Sequence, residues 1–391
     1  MRILILSFYY TPDLGAGSFR TAALANHLSQ NNIQIDIVTT APNRYSSYVT
    51  KAPKYEREGD VQVHRIQIPS YVGGVIDQIR AFSTYYRRAM KLVAKNDYDL
   101  VFATSSRLST AFLGARIAKQ KKAPLYLDVR DIFVDTMKDI LSPKVRWFAQ
   151  PFMSLIEHYT FSKAVHINLV SGGFLEYFKE RYPQPSFSLY TNGIDQEFLK
   201  FSPTSRVAHD KKDILNVLYA GNIGEGQGLH LIVPELANRL NNSIKFTIIG
   251  DGGLHQKLAS AIDELSLDNV ELVLPVARDR LIEEYIKADI LFLHLNIYPA
   301  FEKVLPSKLF EYAAMGKPIW AGLNGYSADF AKSEIVGCEV FSPGNASDAI
   351  NKFYDLKLNT EPRIDFIRKF NRDKIMTEMA ADILRVAKDN N

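Results

Sequence analysis

Short, almost wholly apolar runs alternate along this chain with longer segments whose apolar positions recur every three to four residues, the pattern of strands followed by helices. RILILSF at 2–8 reads as a buried strand, the loop Thr11 to Gly17 brings glycines, and SFRTAALANHLSQNN at 18–32 has helical spacing. A strand over 33–39 follows, then a polar loop at 41–58, rich in Tyr and Ser and expected to be mobile, then a strand pair at 61–68. VIDQIRAFSTYYRRAMKLVAK, 75–95, predicts an amphipathic helix carrying Arg80, Arg87, Arg88 and Lys91. The alternation continues: strand 98–104, helix 109–120, strand 124–129 with its charged turn Asp128-Val129-Arg130-Asp131, helix 144–162, strand 165–170, helix 171–181, and the turn YTNGID at 190–195. At 198–213, FLKFSPTSRVAHDKKD, polar residues and a proline replace the periodicity, and an interdomain linker is expected there. The pattern then restarts with strand 216–220, a glycine-rich loop at 221–228, helix 229–240, strand 245–249, the loop GDGG, helix 254–264, strand 270–274, helix 279–287 and strand 290–295. The tail at 365–388 reads as one or two helices that cover an edge or cross back to the first domain.

This alternation predicts an α/β fold of two Rossmann-like domains, each a doubly wound, mostly parallel sheet, facing a cleft. The expected division is 1–200, 201–370 and a terminal helix at 371–391. Ligands of such sheets bind beyond the carboxyl ends of the strands, where the glycine loops lie.

Length and charge narrow the functions. A chain of 391 residues exceeds one core and fits two domains. Lys and Arg exceed Asp and Glu by 47 to 43, with a pI near 8.8, which suits anionic ligands or an anionic lipid surface and is too mild to imply nucleic acid. Cys338 is the single cysteine, so neither an internal disulfide nor a cysteine metal site is expected, and a reducing cytoplasm is the default. MRILILSFYY has one basic residue and no cleavage site, and Pro12 interrupts it, so it reads as a strand and not a signal peptide. With no long uncharged apolar run, no transmembrane helix is expected.

The densest chemistry lies in FEKVLPSKLFEYAAMGKPIWAGL at 301–323. Pro306 ends the preceding run, Ser307 is an expected N-cap, Lys308 to Met315 are helix formers, and Gly316 with Pro318 stops the helix. Lys308 and Glu311 then share a face near the positive end of the helix dipole, where an anion is favoured. A nucleotide diphosphate would meet free amides and the Lys308 ammonium there, while Glu311 could accept two hydrogen bonds from a ribose diol. The plain alternative is a solvated i,i+3 pair.

Other motifs divide. Gly15-Ala16-Gly17-Ser18-Phe19-Arg20 begins like a dinucleotide fingerprint, but Arg20 replaces the third glycine and no acidic residue closes the second strand, so an NAD site is not expected. Gly15 and Gly17 could still let a phosphate approach, with Arg20 as counter-charge, or simply form a tight turn. No GxxxxGK[ST] occurs, which excludes P-loop chemistry. Asp97 and Asp99 form a literal Asp-x-Asp, yet they precede their strand, and the histidines show no paired ligand spacing, so no metal is expected. His294, inside an apolar strand, reads as a satisfied histidine. Gly221-Asn222-Ile223-Gly224-Glu225-Gly226-Gln227-Gly228, after a strand, can turn several amides toward a diphosphate.

FYYTPDLGAGSFR, LDVRDIF, YTNGID, YAGNIGEGQGL, IIGDGG and LPSKLFEYAAMGKPIWAG together resemble the retaining nucleotide-sugar glycosyltransferases of family 4, along nearly the whole chain. The closest likeness is to the bacterial O-antigen and capsule branch that includes N-acetyl-fucosamine transferases. The resemblance implies a GT-B fold, a C-terminal domain for a UDP-sugar and an N-terminal domain for a saccharide or undecaprenyl-linked acceptor. It also implies transfer without metal or cofactor, by front-face attack. Glu311 matches the second glutamate of the family's E-x7-E motif, which holds the ribose, and Ser307 to Leu309 match the amides at the diphosphate. Lys303 stands at the first glutamate, with Glu302 adjacent as a substitute, and Asn222 and Gln227 stand where an Arg and a Lys are usual. Lys308, Lys303 or Arg20 would then supply the charge. Gly250, Asp251, Val276 and Arg278 complete the expected donor contacts, while Arg130 and Asp131 stand where a cleft histidine and aspartate are usual or form a structural ion pair. The basic helix 75–95 and the aromatic KVRWFAQPF at 144–152 are expected to hold the chain on an anionic inner-membrane surface, unless they are solvated faces. The competing readings are a nucleotide-sugar 2-epimerase and a non-catalytic sugar-nucleotide-binding subunit.

Overall fold

Aliphatic side chains set the strands: in β1 (Arg2–Leu6), Ile3, Leu4, Ile5 and Leu6 are all fully buried. The computed structural model describes every residue except 46, 48, 49, 70–74, 141, 142, 201–205, 208–213 and 391. The chain divides into two compact units, Met1–Asn192 with Asp373–Asn391, and Gly193–Arg372. Most of the linker expected at 198–213 lies outside the described residues.

In unit one, β1 leads through α1 (Ala16–Ser29) to β2 (Gln34–Thr40), then the hairpin β3 (Tyr55–Glu58) and β4 (Val61–Ile66). Next come α2 (Val75–Val93), β5 (Leu100–Thr104), α3 (Leu108–Lys121), β6 (Leu125–Val129), α4 (Phe133–Ile140) and α5 (Pro143–Phe161). β7 (His166–Leu169), α6 (Leu175–Arg181) and β8 (Ser186–Ser188) finish the sheet. Among the described residues its order is β3-β4-β2-β1-β5-β6-β7-β8, parallel except for the β3–β4 hairpin. β3 occupies the end of the segment expected to be loop: YERE is polar because it forms the sheet edge, with no buried residue. α4 ends at Ile140 and α5 starts at Pro143, a proline at a first helical position.

Unit two begins with α7 (Gln196–Leu199) and β9 (Arg206–Val207), then runs β10 (Leu215–Asn222), α8 (Leu229–Arg239), β11 (Ile244–Asp251), α9 (His255–Glu264), β12 (Val270–Val273), α10 (Arg278–Lys287) and β13 (Ile290–His294). α11 (Lys308–Ala314), β14 (Ile319–Gly322), α12 (Gly325–Glu334), β15 (Cys338–Phe341), α13 (Ala346–Asp355), β16 (Asn359–Thr360) and α14 (Ile364–Lys369) follow. Its sheet, β12-β11-β10-β13-β14-β15, is parallel throughout and has the Rossmann order, first outward from β10 and then back past it. One apolar cluster on each face of this sheet fills the core, the first around Phe310 and Tyr312, the second around Phe246 and Trp320.

α15 (Arg372–Asp389) carries Met376, Met379 and Ile383, fully buried, into the core of unit one beside Ile3, Ile5 and Ile35. No helix among the described residues is long and apolar enough to cross a membrane.

Candidate functional site

The site in unit two is assembled from the carboxyl ends of β10, β11 and β13 and from the start of α11. β10 and β11 run on into their glycines, so that Gly221 pairs with Gly250 and Asn222 with Asp251. A Cβ on Gly250 would lie 1.9 Å from the Gly221 carbonyl oxygen, so only glycine allows the two strands to stay this close. Gly228, at φ +57°, turns the loop left-handed into α8. The Asn222 side-chain amide donates to Gln227 Oε1 at 2.9 Å, so these two polar side chains of the loop satisfy each other.

His294 fastens this loop. Its Nδ1 donates to the Gln227 carbonyl at 2.6 Å and its Nε2 accepts from the Gly344 amide at 3.0 Å, which fixes the neutral tautomer. Burial pushes its pKa down to about 4, against the pull of the Gln227 carbonyl. It is a fully satisfied histidine, as its apolar strand suggested.

At α11, the Lys308 ammonium donates to Glu311 Oε2 at 2.7 Å and to the Tyr285 hydroxyl at 3.0 Å, and that hydroxyl donates to Glu311 at 3.1 Å. Lys308 and Glu311 therefore form more than a solvated pair: both side chains are largely covered, at 22% and 13% exposure. Tyr285 is fully buried on α10, and desolvation, reinforced by the Glu311 charge, holds its hydroxyl proton firmly in place. Arg278, about two turns earlier on α10, stands over the Phe198 ring at 5.0 Å, and that ring stacks on Tyr285. Arg278 also donates to Asp195, which Arg372 grips from another side. Burial alone would lower the Arg278 pKa, but Asp195, Glu311 and Glu197 together raise it, so the guanidinium stays charged. Tyr285, Phe198 and Asp195 were not singled out from the sequence; only Asp195 had a local signal, as the last residue of YTNGID.

Other expected donor residues fare differently. Ser307 is already helical at φ −59° and makes no capping hydrogen bond. The Leu309 amide donates to the Pro306 carbonyl at 3.2 Å and is thereby used within the turn. Glu302 accepts from Asn324 at 3.1 Å, Lys303 closes the turn Phe301–Lys303, and Val276 packs partly buried against the core. Asp251 accepts from the Gly252 amide at 2.7 Å.

Unit one puts Arg20 to another use than the expected counter-charge. Because α1 begins at Ala16, two residues before the expected start, Arg20 lies on its inward face, 1% exposed. It grips Asp128 through Nε and Nη2, both at 3.0 Å, and donates to the Tyr190 and Thr191 carbonyls at 2.7 Å. Burial works against the Asp128 charge, yet Arg20 outweighs it and holds the carboxyl below its ordinary pKa. Gly15 caps α1, and a Cβ on Gly17 would lie 3.5 Å from Arg130 Nε, so the first glycine loop lies beneath Arg130. Asp131 follows; it still reaches solvent, but its crowded surround strips enough hydration to push its pKa up to about 6, against Arg130 and Arg44. Asp97 and Asp99 go separate ways, to Lys121 at 3.9 Å and to the Arg2 amide at 2.6 Å.

Residues 15–186 match the family model described as Glycosyl transferase 4-like domain, and residues 202–372 match Glycosyl transferases group 1. The chain is 24% identical over 343 residues to WcaI of Escherichia coli K12, named as a glycosyl transferase of colanic acid biosynthesis, covering 81% of this chain and 82% of that protein. Sucrose-phosphate synthase from Thermosynechococcus elongatus superposes with a TM-score of 0.77 at 14% identity over 98% of both chains. HepE from Anabaena, in complex with UDP-glucose, gives 0.64 at 15% identity over 100% of this chain and 98% of that one. These structures share the GT-B fold, and with both of its units matched the chain belongs to the family 4 type of glycosyltransferases.

Proposed function

We propose that this glycosyltransferase moves an N-acetylated hexosamine or deoxyhexosamine from a UDP-sugar held by unit two to a saccharide or undecaprenyl-linked acceptor held by unit one, in assembly of a bacterial surface polysaccharide. The observation that carries the reading is the Lys308–Tyr285–Glu311 triangle with Arg278 close behind it. Tyr285 and Lys308 both serve Glu311 Oε2, which leaves Oε1 for a ribose hydroxyl, and the two cations supply charge for a diphosphate. UDP is the nucleotide chosen because the solved HepE complexes contain UDP and UDP-glucose.

The transfer retains configuration and uses no metal. The acceptor hydroxyl attacks the anomeric carbon on the face from which the diphosphate departs; the carbon–oxygen bond to diphosphate breaks, and the hydroxyl proton passes to a diphosphate oxygen. Protein groups hold the donor and stabilise the charge growing on the leaving group. Lys308 and Arg278 do this, with Lys303 as a further cation of the same unit. The protein works in the cytoplasm, peripherally on the inner membrane.

Calorimetry with UDP on the wild type and on Glu311→Gln tests the donor site. The variant keeps the shape but weakens a charge-assisted hydrogen bond, and a loss of roughly 1.5–3 kcal/mol, ten- to hundredfold in affinity, is expected. Equal affinity in the two proteins, or no UDP binding to the wild type, would remove the proposal. Proton NMR of the glycoside product then reads the anomeric configuration, and an inverted product would overturn the retaining step.

A further inference from the structure

Unit one has its own crevice, and its lining is unlike that of unit two. In its sheet β1 has β2 on one side and β5 on the other, and the chain winds outward from β1 before returning to β5, so the topological switch point lies between them. The segments leaving the carboxyl ends of β1 and β5 carry Tyr9 and Arg107, and those leaving β2 and β6 carry Arg44 and Arg130. These side chains are joined. Arg107 Nη2 donates to the Tyr9 hydroxyl at 2.6 Å, and its guanidinium lies 4.2 Å from the Phe8 ring centre. Arg44 lies 5.1 Å from the Tyr9 ring centre and 5.6 Å from that of Tyr45. Arg130 is placed over Gly17, its amide donating to Ser105 Oγ at 3.1 Å. Two carboxylates lie among them: Asp13, buried and turned to the amides of Asn43 and Arg44 at 3.0 and 2.8 Å, with Arg44 and Arg65 nearby, and Asp131, with Arg130 and Arg44 nearby. Arg44 and Asp131 are exposed and Tyr9, Tyr45, Arg107 and Arg130 half-buried, so the cluster is open to a ligand.

Arg44 and Arg107, placed over aromatic rings, are held with their forks oriented, and Arg130 stands over Gly17, an arrangement suited to a bidentate oxyanion. The tyrosine faces beside them suit the apolar face of a sugar ring. We propose that this cluster is the acceptor subsite, and that Arg44, Arg107 and Arg130 select an acceptor sugar bearing an oxyanion, a phosphate ester or a carboxylate. The inference rests on the transferase reading above and adds the acceptor's chemical class. A neutral sugar offers these guanidinium groups no charge-assisted hydrogen bond, which is how the site prefers the oxyanion.

The test titrates the full-length protein, saturated with UDP so that the donor site is filled, with glucose 1-phosphate, glucuronate and glucose. At least one of the two oxyanion sugars is expected to bind about tenfold or more tightly than glucose, and to lose affinity as salt is raised. Tight binding of the phosphate alone assigns a phosphorylated acceptor, and of glucuronate alone a uronic acid. Arg107→Gln should weaken that binding about tenfold; Arg44→Gln, at an exposed position, repeats the test where folding is not at risk. Equal affinity for all three sugars, or oxyanion binding untouched in both variants, would overturn the proposal. UDP binding is measured in the same samples: retained UDP binding without oxyanion preference defeats the acceptor inference alone, whereas absent UDP binding defeats the transferase reading itself.

Discussion

A single side chain, His294, gives unit two a pH dependence with a definite sign. Folding lowers its pKa from 6.5 to about 4, so between those values the unfolded chain binds the proton more readily than the folded one. Stability contributed by the neutral imidazole is therefore complete above pH 6.5 and is lost as pH falls toward 4, by on the order of 3 kcal/mol in full. Asp131 acts in the opposite sense in unit one, since its folded pKa is raised from 3.8 to about 6 and the folded state there prefers the proton. The two effects can be separated by where the probe lies. Trp320 is fully buried in unit two, while Trp147, in unit one, is 73% exposed, so the blue-shifted part of the tryptophan emission follows unit two. Urea midpoints read from that emission are expected to fall from pH 6.5 to 4 in the wild type, and to fall less steeply in His294→Gln, which cannot take up the proton. Parallel pH profiles would show that His294 is not the group involved.

At the scale of elements, β10 and β11 stay in register through their last residues only because two glycines face each other. Gly250→Ala places a methyl carbon against the Gly221 carbonyl, where backbone and not a flexible side chain must give way. A loss of about 3 kcal/mol or more is expected, with lower UDP affinity because the loop at 221–228 moves with β10. A thermal melt with and without UDP checks both, and an unchanged melting temperature would mean that the strands part at little cost. The same region shows what the sequence made legible. Apolar runs such as RILILSF located the central strands because buried parallel strands are apolar on both faces. YERE did not signal β3, since an edge strand paired on one side has no such requirement. IWAG and CEVF, the strands β14 and β15, passed unassigned, as did α12 and α13. In the site, Lys308 and Glu311 could be paired because three residues separate them on one helix. Tyr285, 26 residues before Glu311, and Asp195, 83 before Arg278, are brought there by the crossing of chain between strands, which no local pattern records. Arg20 misled because its type suited an anion, whereas its partner Asp128 lies 108 residues away on β6.

The whole molecule carries a mild excess of positive charge, and its distribution over unit one decides whether that excess has a use. Arg80, Arg87, Arg88 and Lys91 on α2 are all exposed, and their partners are weak ones: Asp77 at 3.8 Å for Arg80, and the carbonyls of Ser83 and Gln67 for Arg87 and Arg88. α3 packs between α2 and α5 through Tyr86, Phe112 and Tyr159, so all three helices share one layer. On α5, Trp147, Phe152 and Leu155 are 73%, 66% and 66% exposed, an arrangement that costs hydration in water and is relieved at a lipid interface. An anionic membrane would gain about 1 kcal/mol for each basic residue near its surface, so reversing four charges should weaken adsorption by well over a thousandfold. The variant with Arg80, Arg87, Arg88 and Lys91 all changed to Glu is therefore expected to stay in the supernatant with phosphatidylglycerol vesicles that sediment the wild type. Trp147→Ser should weaken sedimentation further at high salt, where screening leaves the apolar contribution dominant. Because these residues are remote from the donor triangle in sequence and belong to the other unit, UDP affinity is expected to hold in both variants. Sedimentation of the charge-reversed protein at the wild-type level would mean that α2 is a solvated face and that the charge excess serves ligands alone.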